Sequence, residues 1–399
     1  MEKYAIILSI LLTTYALQAN AQPYSTPKNP LTATVVGELA PELGNTSALF
    51  YWENRLWTSN DHGNLTLHCL DTLTAATLQQ VGCDTSFNDM EEVAQDSVYF
   101  YFGDFGNNHE RLRNDLRILR MRKSDLTRGL CRFDTIAFTY SGYDPAGAGA
   151  RRLPTTDYDC EAMVAVGDSL FLFTKQWSSR RTTCFALPKE PGTYTALPRF
   201  TMDVDGLVTG ACHTARVTPE GTRQVLALCG YSLLLKPFVF VMYGFDGNAF
   251  DQGQHDRLEL SRPMGTQTEA IASADGLHYW LTNEAFSRFG ISQPAQLLSI
   301  DLSTLLGDYL RPDSSHAAVP SLTGEMEEEP AVYPNPTDGT LTIDLPDAEK
   351  LEVLDSTGRL LLHSDDIHTL DLRDLETGTY LLRITTRQGN VVSRKIIKQ

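Results

Sequence analysis

Apolar and polar positions alternate with a period of two along most of the chain between about residue 33 and residue 310. Runs rich in β-branched and aromatic residues, such as residues 98–102 and 170–173, recur in this region. The three-to-four-residue spacing of an amphipathic helix is almost absent from it. Because successive strand side chains point to opposite faces of a sheet, the pattern predicts an all-β region.

The all-β region also repeats itself. Five segments share a polar lead-in, a small or acidic residue, an apolar residue, a turn and then a strand-like run. Further strand-like runs follow each segment, and four strands repeated at about 40–50 residues or more are typical of a β-propeller. The aligned small or acidic positions are Ser47, Glu91, Glu161, Gly210 and Glu269.

We expect five blades, with a sixth, degenerate blade inside the long second repeat as the alternative. The fifth repeat ends after its third strand, at residues 296–302. A strand at residues 32–37 belongs to no repeat, and we expect it to supply the missing fourth strand. Strands from both ends of the region would then close the ring and leave no exposed sheet edge.

The N-terminus has the features of a secretory signal peptide over residues 1–21. Lys3 is followed by a mostly apolar, uncharged stretch at residues 4–17 and by the small-x-small sequence Ala19-Asn20-Ala21. The apolar stretch is too short to span a bilayer comfortably, and no later uncharged run reaches its length. We therefore expect an exported protein with no transmembrane span.

The C-terminal part has its own pattern of short alternating segments separated by glycine-containing turns. This pattern predicts a small antiparallel β-sandwich over residues 330–399. The acidic stretch at residues 313–329, which ends in a run of Glu residues, predicts a solvated linker. The predicted propeller domain then occupies residues 22–312.

Four short sequences in the C-terminal part occur in the order and at the spacing of a known family. They are Tyr333-Pro334-Asn335-Pro336, the turn at residues 355–359, Gly378-Thr379-Tyr380 and Lys395-Ile396-Ile397-Lys398. The segment resembles the type A C-terminal sorting domain of the type IX secretion system. The resemblance implies a Gram-negative bacterial protein that engages this secretion machinery, crosses the outer membrane, and is released or anchored at the cell surface.

The charge balance of the chain indicates which kinds of partner it can bind. The chain has 33 Lys and Arg residues against 50 Asp and Glu residues, a formal net charge of -17. Nucleic-acid binding relies on a surplus of basic residues to neutralise phosphates, so the composition argues against it. It is compatible with a site for a cation.

The predicted propeller gathers polar residues at one end. In each blade the start of the first strand and the end of the second emerge on the same face, which we call the mouth face. The residues expected there as ligand-binding candidates are Asp89, Glu91, Asp104, Asn107, Asp159, Glu161, Lys175, Trp177, Gln267, Glu269, Asn283 and Glu284.

Carboxylates that converge near one axis repel each other, and their pKa values rise unless something compensates. A Ca²⁺ ion held by Asp89, Glu91, Glu161 and Glu269 would compensate, as would Lys175 or a cationic group of a ligand. In the alternative interpretation, the acids cap backbone amides of neighbouring blades and have only a structural role. No catalytic residue is assigned, because no nucleophile motif, zinc motif or contiguous calcium loop occurs.

Three functions follow from the predicted mouth face. The first is binding of a ligand, which would be a glycan, a peptide or a cation. The second is metal-assisted hydrolysis of an ester or phosphoester, with Glu91, Glu161 or Glu269 as general base. The third is a purely structural surface module.

The strand starts also resemble the Asp-x-Glu-x-apolar repeats of phytase-like and esterase-like propellers. The best match is the sequence at residues 159–163. This resemblance covers only such short stretches, Ser47 and Gly210 depart from it, and it carries no activity to this chain.

The seven cysteines lie in a chain predicted to be exported, where disulfides are permitted. Cys212 and Cys229 flank the turn at residues 219–222 symmetrically, which predicts a disulfide between them. A second candidate pair is Cys69 with Cys83. Cys160 lies between two predicted mouth carboxylates, whose charge would raise the pKa of its thiol and disfavour a reactive thiolate.

Overall fold

The computed structural model describes residues 30–108, 113–143, 156–218, 221–288, 290–311, 331–345, 348–354, 360–364, 366–387 and 391–399. The chain forms two compact units, Met1–Ser315 and His316–Gln399. The predicted signal peptide and the whole of the predicted acidic linker lie outside the described residues.

The first unit is built almost entirely of antiparallel four-stranded groups. Its strands are β1 (Thr34–Glu38); β2 (Thr46–Trp52), β3 (Arg55–Asn60), β4 (Gly63–Leu70) and β5 (Thr77–Phe87); β6 (Met90–Gln95), β7 (Tyr99–Asp104), β8 (Arg117–Arg122) and β9 (Phe133–Tyr140); β10 (Asp159–Val166), β11 (Ser169–Lys175), β12 (Arg181–Pro188) and β13 (Gly192–Asp203); β14 (Leu207–Thr218), β15 (Gly221–Tyr231), β16 (Pro237–Tyr243) and β17 (Gln254–Glu259); and β18 (Thr268–Ser273), β19 (His278–Asn283), β20 (Phe286–Arg288), β21 (Ile291–Gln293) and β22 (Gln296–Asp301).

Short helices connect some of these strands. They are α1 (Lys123–Leu126), α2 (Ser303–Leu310) and two 3-10 helices at Pro41–Leu43 and Phe250–Gln252. Helix α2 follows β22 and buries Leu306 and Leu310 against the apolar core of the neighbouring strands.

The N-terminal strand completes the last group of the first unit, as predicted. Strand β1 pairs antiparallel with β22, and the sheet order is β1-β22-β19-β18. The outer strands of the second and third groups also join, because the first half of β13 pairs in parallel with β9. These two groups therefore form one continuous eight-stranded sheet.

The inner strands form a closed ring. Strand β2 contacts β6, β6 contacts β10, β10 contacts β14, β14 contacts β18, and β18 contacts β2. This cyclic arrangement confirms the predicted all-β propeller fold. The alternative of a sixth blade concerns the second repeat, where residues 144–155 lie outside the described residues, so the blade number stays a prediction.

Apolar side chains fill the spaces between neighbouring groups. Phe50 on β2 and Phe100 on β7 are buried, with ring centroids 5.2 Å apart, and Trp57 packs in the same cluster. A propeller blade has both faces covered by neighbours, which explains why a second strand such as β11 is largely apolar on both faces. Burial of this apolar surface is the main favourable contribution to folding.

The disulfide pairing differs from the prediction. Cys83 on β5 bonds to Cys131, just before β9, with a Cα–Cα distance of 5.6 Å, so the disulfide links the outer strands of the first and second groups. The predicted Cys69–Cys83 bond is therefore wrong. Cys69 lies opposite Gln79 on the neighbouring strand, too far along the ladder from Cys83.

The predicted Cys212–Cys229 disulfide is also wrong, and both thiols are free. The hairpin of β14 and β15 closes with Thr218 paired to Gly221. This register places Cys212 opposite Ala227, two residues away from the pairing that the sequence symmetry suggested.

The second unit consists of two antiparallel sheets around an apolar core that includes Leu341, Val353 and Ile384, in agreement with the predicted sandwich. The sheet orders are β23-β24-β27 and β26-β25-β28-β29. Its strands are β23 (Ala331–Tyr333), β24 (Thr340–Asp344), β25 (Ala348–Leu354), β26 (Leu360–Ser364), β27 (Thr369–Asp371), β28 (Gly378–Thr386) and β29 (Val391–Lys398).

Candidate ligand-binding face

Each inner strand carries a β-bulge close to its start. At a bulge one extra residue interrupts the pairing register, and its side chain is re-aimed relative to the regular alternation. The fourth position differs by one from the aligned sequence repeat, because Gly210 is paired with Cys229. The extra residues are Ser47, Glu91, Glu161, Thr209 and Glu269.

Two of the five bulged residues tie neighbouring inner strands together. The Ser47 hydroxyl donates to the backbone carbonyl of Met90 at 2.6 Å, and the Thr209 hydroxyl donates to that of Thr268 at 2.6 Å. Each bond joins one inner strand to the next around the ring. At these positions the bulge has a structural role.

The other three bulged residues bring carboxyl groups together at the mouth face. Glu91, Glu161 and Glu269 are 7%, 2% and 6% exposed. Asp89 and Asp159, at the starts of the same strands as Glu91 and Glu161, are buried as well. The charges of Asp89, Asp159 and Glu161 act on Glu91, and that of Glu161 acts on Glu269. We call these five residues the axial acidic cluster.

Lys175 supplies a positive charge to the axial acidic cluster. It lies at the end of β11 and donates from Nζ to Glu161 Oε1 at 2.9 Å. The same ammonium lies 5.1 Å from the ring centroid of Trp177 and 5.3 Å from that of Tyr231, which is cation–π geometry. Trp177 is half-buried and donates its indole N–H to Asp159 Oδ2 at 3.1 Å.

The cluster changes the protonation of its members. Burial raises the pKa of Glu91 well above its usual value, and the charges of Glu161, Asp89 and Asp159 add to this effect. Burial likewise raises the pKa of Glu269, with Lys175 opposing it. For Lys175, burial lowers the pKa, but the neighbouring acids, Glu161 first, raise it well above the ordinary value. The cluster therefore combines an ammonium group and carboxyl groups whose pKa values are all raised.

Asp104 is held inside the protein. It is fully buried, and its carboxylate accepts hydrogen bonds from Arg113 Nη2 at 3.0 Å and from Arg117 Nε at 2.9 Å. It also accepts the backbone N–H of Asp89 at 3.1 Å. These bonds fix the start of β6, and with it the position of the Asp89 backbone.

Asn107 also helps to position the axial acidic cluster. Its backbone N–H donates to Asp159 Oδ1 at 2.8 Å, and its side-chain amide donates to the Tyr143 hydroxyl at 2.9 Å. The neighbouring Gly106 leaves no room for a side chain, because a Cβ there would collide with Asp89 Oδ2 and Glu91 Oε1. The loop after β7 therefore packs directly on the carboxyl groups.

Gln267 and Glu284 line a pocket of about 320 Å³ on the mouth face. Asn283, directly before Glu284, is fully buried and donates to the backbone carbonyls of Glu284 and Pro294 at 2.9 and 2.8 Å. Burial raises the pKa of Glu284 to about 7. The pocket is lined by Asn45, Gln267, Glu284, Ala285, Phe286, Ser287 and Arg288.

Glu92 is a further buried acid, and the sequence pattern did not mark it as a candidate site residue. It is fully buried, and its Oε2 accepts the backbone N–H of Ala211 on β14 at 2.8 Å. Strands β6 and β14 are not neighbours in the ring of inner strands, so this bond crosses the centre of the propeller. Burial raises the pKa of Glu92 well above its usual value. Its position directly after Glu91, on a largely apolar strand, was the sequence feature that could have indicated a buried acid here.

Among the described residues, no group of three or more His, Cys, Asp or Glu side chains is arranged to hold a metal ion. The calcium site predicted at Asp89, Glu91, Glu161 and Glu269 stays a prediction. Among the described residues, Lys175 places a positive charge next to these acids.

Several solved structures are similar to this chain at low sequence identity. The PQQ-bound form of aldose sugar dehydrogenase from Streptomyces coelicolor is 13% identical, and the match covers 70% of this chain and 99% of that one, with a TM-score of 0.37. A hypothetical protein from Leishmania major is 10% identical, with coverage of 69% and 91% and a TM-score of 0.37. The WD40 β-propeller domain of Doa1 is 10% identical, with coverage of 92% and 97% and a TM-score of 0.27. Among curated proteins, none matches the sequence.

The second unit has a clear family assignment. Residues 331–399 match the secretion system C-terminal sorting domain, over the segment where the sequence motifs predicted it. In the part of the chain that the structure describes, no helix is long and apolar enough to cross a membrane. The C-terminal part of the chain therefore belongs to the type IX sorting domains, which direct the protein across the outer membrane to the cell surface or the extracellular space.

Proposed function

We propose that this exported β-propeller protein binds a ligand that carries a positively charged group, at the axial acidic cluster. The observation that carries the proposal is the imbalance of charge within the cluster. Within the described residues, five buried carboxyl groups make up the cluster, and the Lys175 ammonium is paired with Glu161 at 2.9 Å. The raised pKa values of Glu91 and Glu269 support the proposal, because burial and neighbouring negative charges favour a proton on each of these carboxyl groups.

A cation that binds at the cluster would displace these protons. Ca²⁺ would use carboxylate oxygens of Asp89, Glu91, Glu161 and Glu269. An organic ammonium or guanidinium group would use the same oxygens through charge-assisted hydrogen bonds. In both cases binding strengthens as the pH rises, because the acids must ionise before they can hold the cation.

Isothermal titration calorimetry with CaCl₂, and separately with arginine-containing and lysine-containing peptides, tests this proposal. We expect at least one probe to bind, with an affinity at least tenfold weaker in Glu91→Gln and Glu269→Gln. Glutamine resembles the protonated form of each acid, so both variants are expected to fold. Glu259→Gln is the matched control, because Glu259 pairs with Lys236 at an exposed site. Failure of every probe, or equal affinity in all variants, would falsify the proposal.

Metal-assisted hydrolysis of an ester or phosphoester is the alternative function. The half-buried Glu284 favours it, because a carboxyl group with a pKa of about 7 can both accept and donate a proton near neutral pH. Chromogenic esters and phosphoesters added to the same set of proteins distinguish the two functions. Turnover by the native protein that is lost in an additional Glu284→Gln variant would replace simple binding by catalysis.

A further inference from the structure

We propose that the pocket beside the axial acidic cluster is a second site, and that it binds a neutral sugar of one or two rings. The inference begins with a hairpin that belongs to no four-stranded group. In the part of the chain that the structure describes, strands β20 and β21 pair only with each other, and they lie between β19 and β22 in the chain. The propeller does not need this hairpin to complete its fifth group of strands.

The root of the hairpin is fixed on several sides. Ala285 donates its backbone N–H to Gly44 of the first repeat at 2.9 Å, and Glu284 donates its backbone N–H to Gln267 at 3.1 Å. Beneath the hairpin, Gly265 has a φ of +96°, and a Cβ there would lie 2.8 Å from Ile291 Cγ2. A glycine is therefore required for the hairpin to pack this closely. The backbone around the pocket is therefore held in place by the fold.

The lining of the pocket is polar and carries both signs of charge. Asn45 and Gln267 each provide an amide that donates and accepts hydrogen bonds, and Ser287 provides a hydroxyl. The charges of Glu284 and Arg288 act on each other, so the pocket as a whole does not select a cation or an anion. This distinguishes it from the axial acidic cluster.

Sugar hydroxyls both donate and accept hydrogen bonds, which matches paired amides, a carboxyl group and a hydroxyl. Phe286, which also lines the pocket, offers an apolar surface to the C–H face of a ring. The volume of about 320 Å³ lies at the lower end of the range of about 300–1,000 Å³ for small-molecule sites. These features together select a small, neutral, polyhydroxylated ligand.

Calorimetry and thermal shift with a panel of neutral monosaccharides and disaccharides test the second site. We expect at least one sugar to bind with millimolar or better affinity. We expect Gln267→Ala to weaken that affinity at least fivefold, and Ser287→Trp to abolish binding by filling the pocket. Gln254→Ala, on the outer strand β17 of another group, is the matched control and should bind normally. Ser287 and Gln254 are exposed, so those two substitutions threaten folding little.

The result is independent of the proposed function. Cation binding should be unchanged in Ser287→Trp, and sugar binding should persist in Glu91→Gln. Absence of binding by every sugar in the panel, or undiminished binding by Ser287→Trp, overturns the proposed sugar site and leaves the cation proposal standing.

Discussion

At the scale of single residues, Lys175 is a buried side chain of the mouth face that is held on several sides. It is 5% exposed, bonded to Glu161 and placed near two aromatic rings. A buried ion pair gains little over an apolar pair of the same shape. Removing one partner is different, because the other charge is then left without compensation in a poorly solvated site.

We expect Lys175→Met to lower the free energy of unfolding by about 3–5 kcal/mol at neutral pH. The loss should grow as the pH rises. Without the ammonium, Glu161 stays protonated in the folded state but ionises in the unfolded state, so the native protein binds more protons and stability falls with increasing pH. Urea denaturation at pH 5 and pH 8 measures both effects.

Lys236→Met is the matched control for this experiment, since Lys236 and Glu259 form an exposed ion pair. Such pairs contribute about 0–1 kcal/mol. If both variants lose the same stability, or if the loss in Lys175→Met does not change with pH, Lys175 is not the charge that balances the axial acidic cluster.

At the scale of elements, the β-bulge of each inner strand explains which mouth-face residues the sequence repeat predicted correctly and which one it misplaced. The repeat placed Glu91, Glu161 and Glu269 at equivalent positions, and the structure brings all three to the mouth face. The fourth repeat was aligned on Gly210 instead of Thr209, because alternation alone does not show where one extra residue enters a strand.

Close packing of the inner strands explains why position 210 is a glycine. A Cβ at this position would lie 2.8 Å from the backbone oxygen of Glu269 and 2.9 Å from Ala270 Cα, on the neighbouring inner strand. We expect Gly210→Ala to lower the free energy of unfolding by about 1–3 kcal/mol, because backbone atoms must shift to make room. Chemical denaturation measures this loss.

Gly307→Ala in helix α2 is the control, since nothing lies within 4 Å of a Cβ there. Alanine favours helix over glycine by about 1 kcal/mol, so this variant should be as stable as the native protein or more so. A Gly210→Ala protein with native stability would show that the inner strands pack less tightly than the structure indicates.

At the scale of the whole molecule, sequence periodicity predicted the propeller and the closing strand, and the C-terminal motifs predicted the sorting domain. Neither predicted the contacts between distant groups. The sequence did not predict the Cys83–Cys131 disulfide, because the two cysteines lie on different repeats. The symmetry of a hairpin carries no information about which outer strands become neighbours. The bond from Glu92 to Ala211 crosses the ring for the same reason. Such contacts depend on how the ring closes.

The disulfide between the first two groups should contribute measurably to stability. It closes a loop with a sequence separation of 48 residues, and disulfides of this kind stabilise by about 2–4 kcal/mol, largely by restricting the unfolded chain. We expect Cys131→Ser to lower the melting temperature. Dithiothreitol should lower that of the native protein by a similar amount and leave the variant unchanged. If dithiothreitol lowers the melting temperature of Cys131→Ser by the same amount, the reductant acts on something other than this disulfide.

The pairing of β1 with β22 also determines how the first unit responds to tension. Thr34 at the start of β1 lies opposite Ser299, near the end of β22, so the two chain exits leave the sheet at the same end of the pair. A pull on both exits acts across the strands and breaks their hydrogen bonds one after another, instead of all at once along the strand axis. The closure that holds the ring together at rest thus separates one residue pair after another under mechanical force, once α2 and the backbone bonds of Leu31 to Glu259 and Ser261 have been detached.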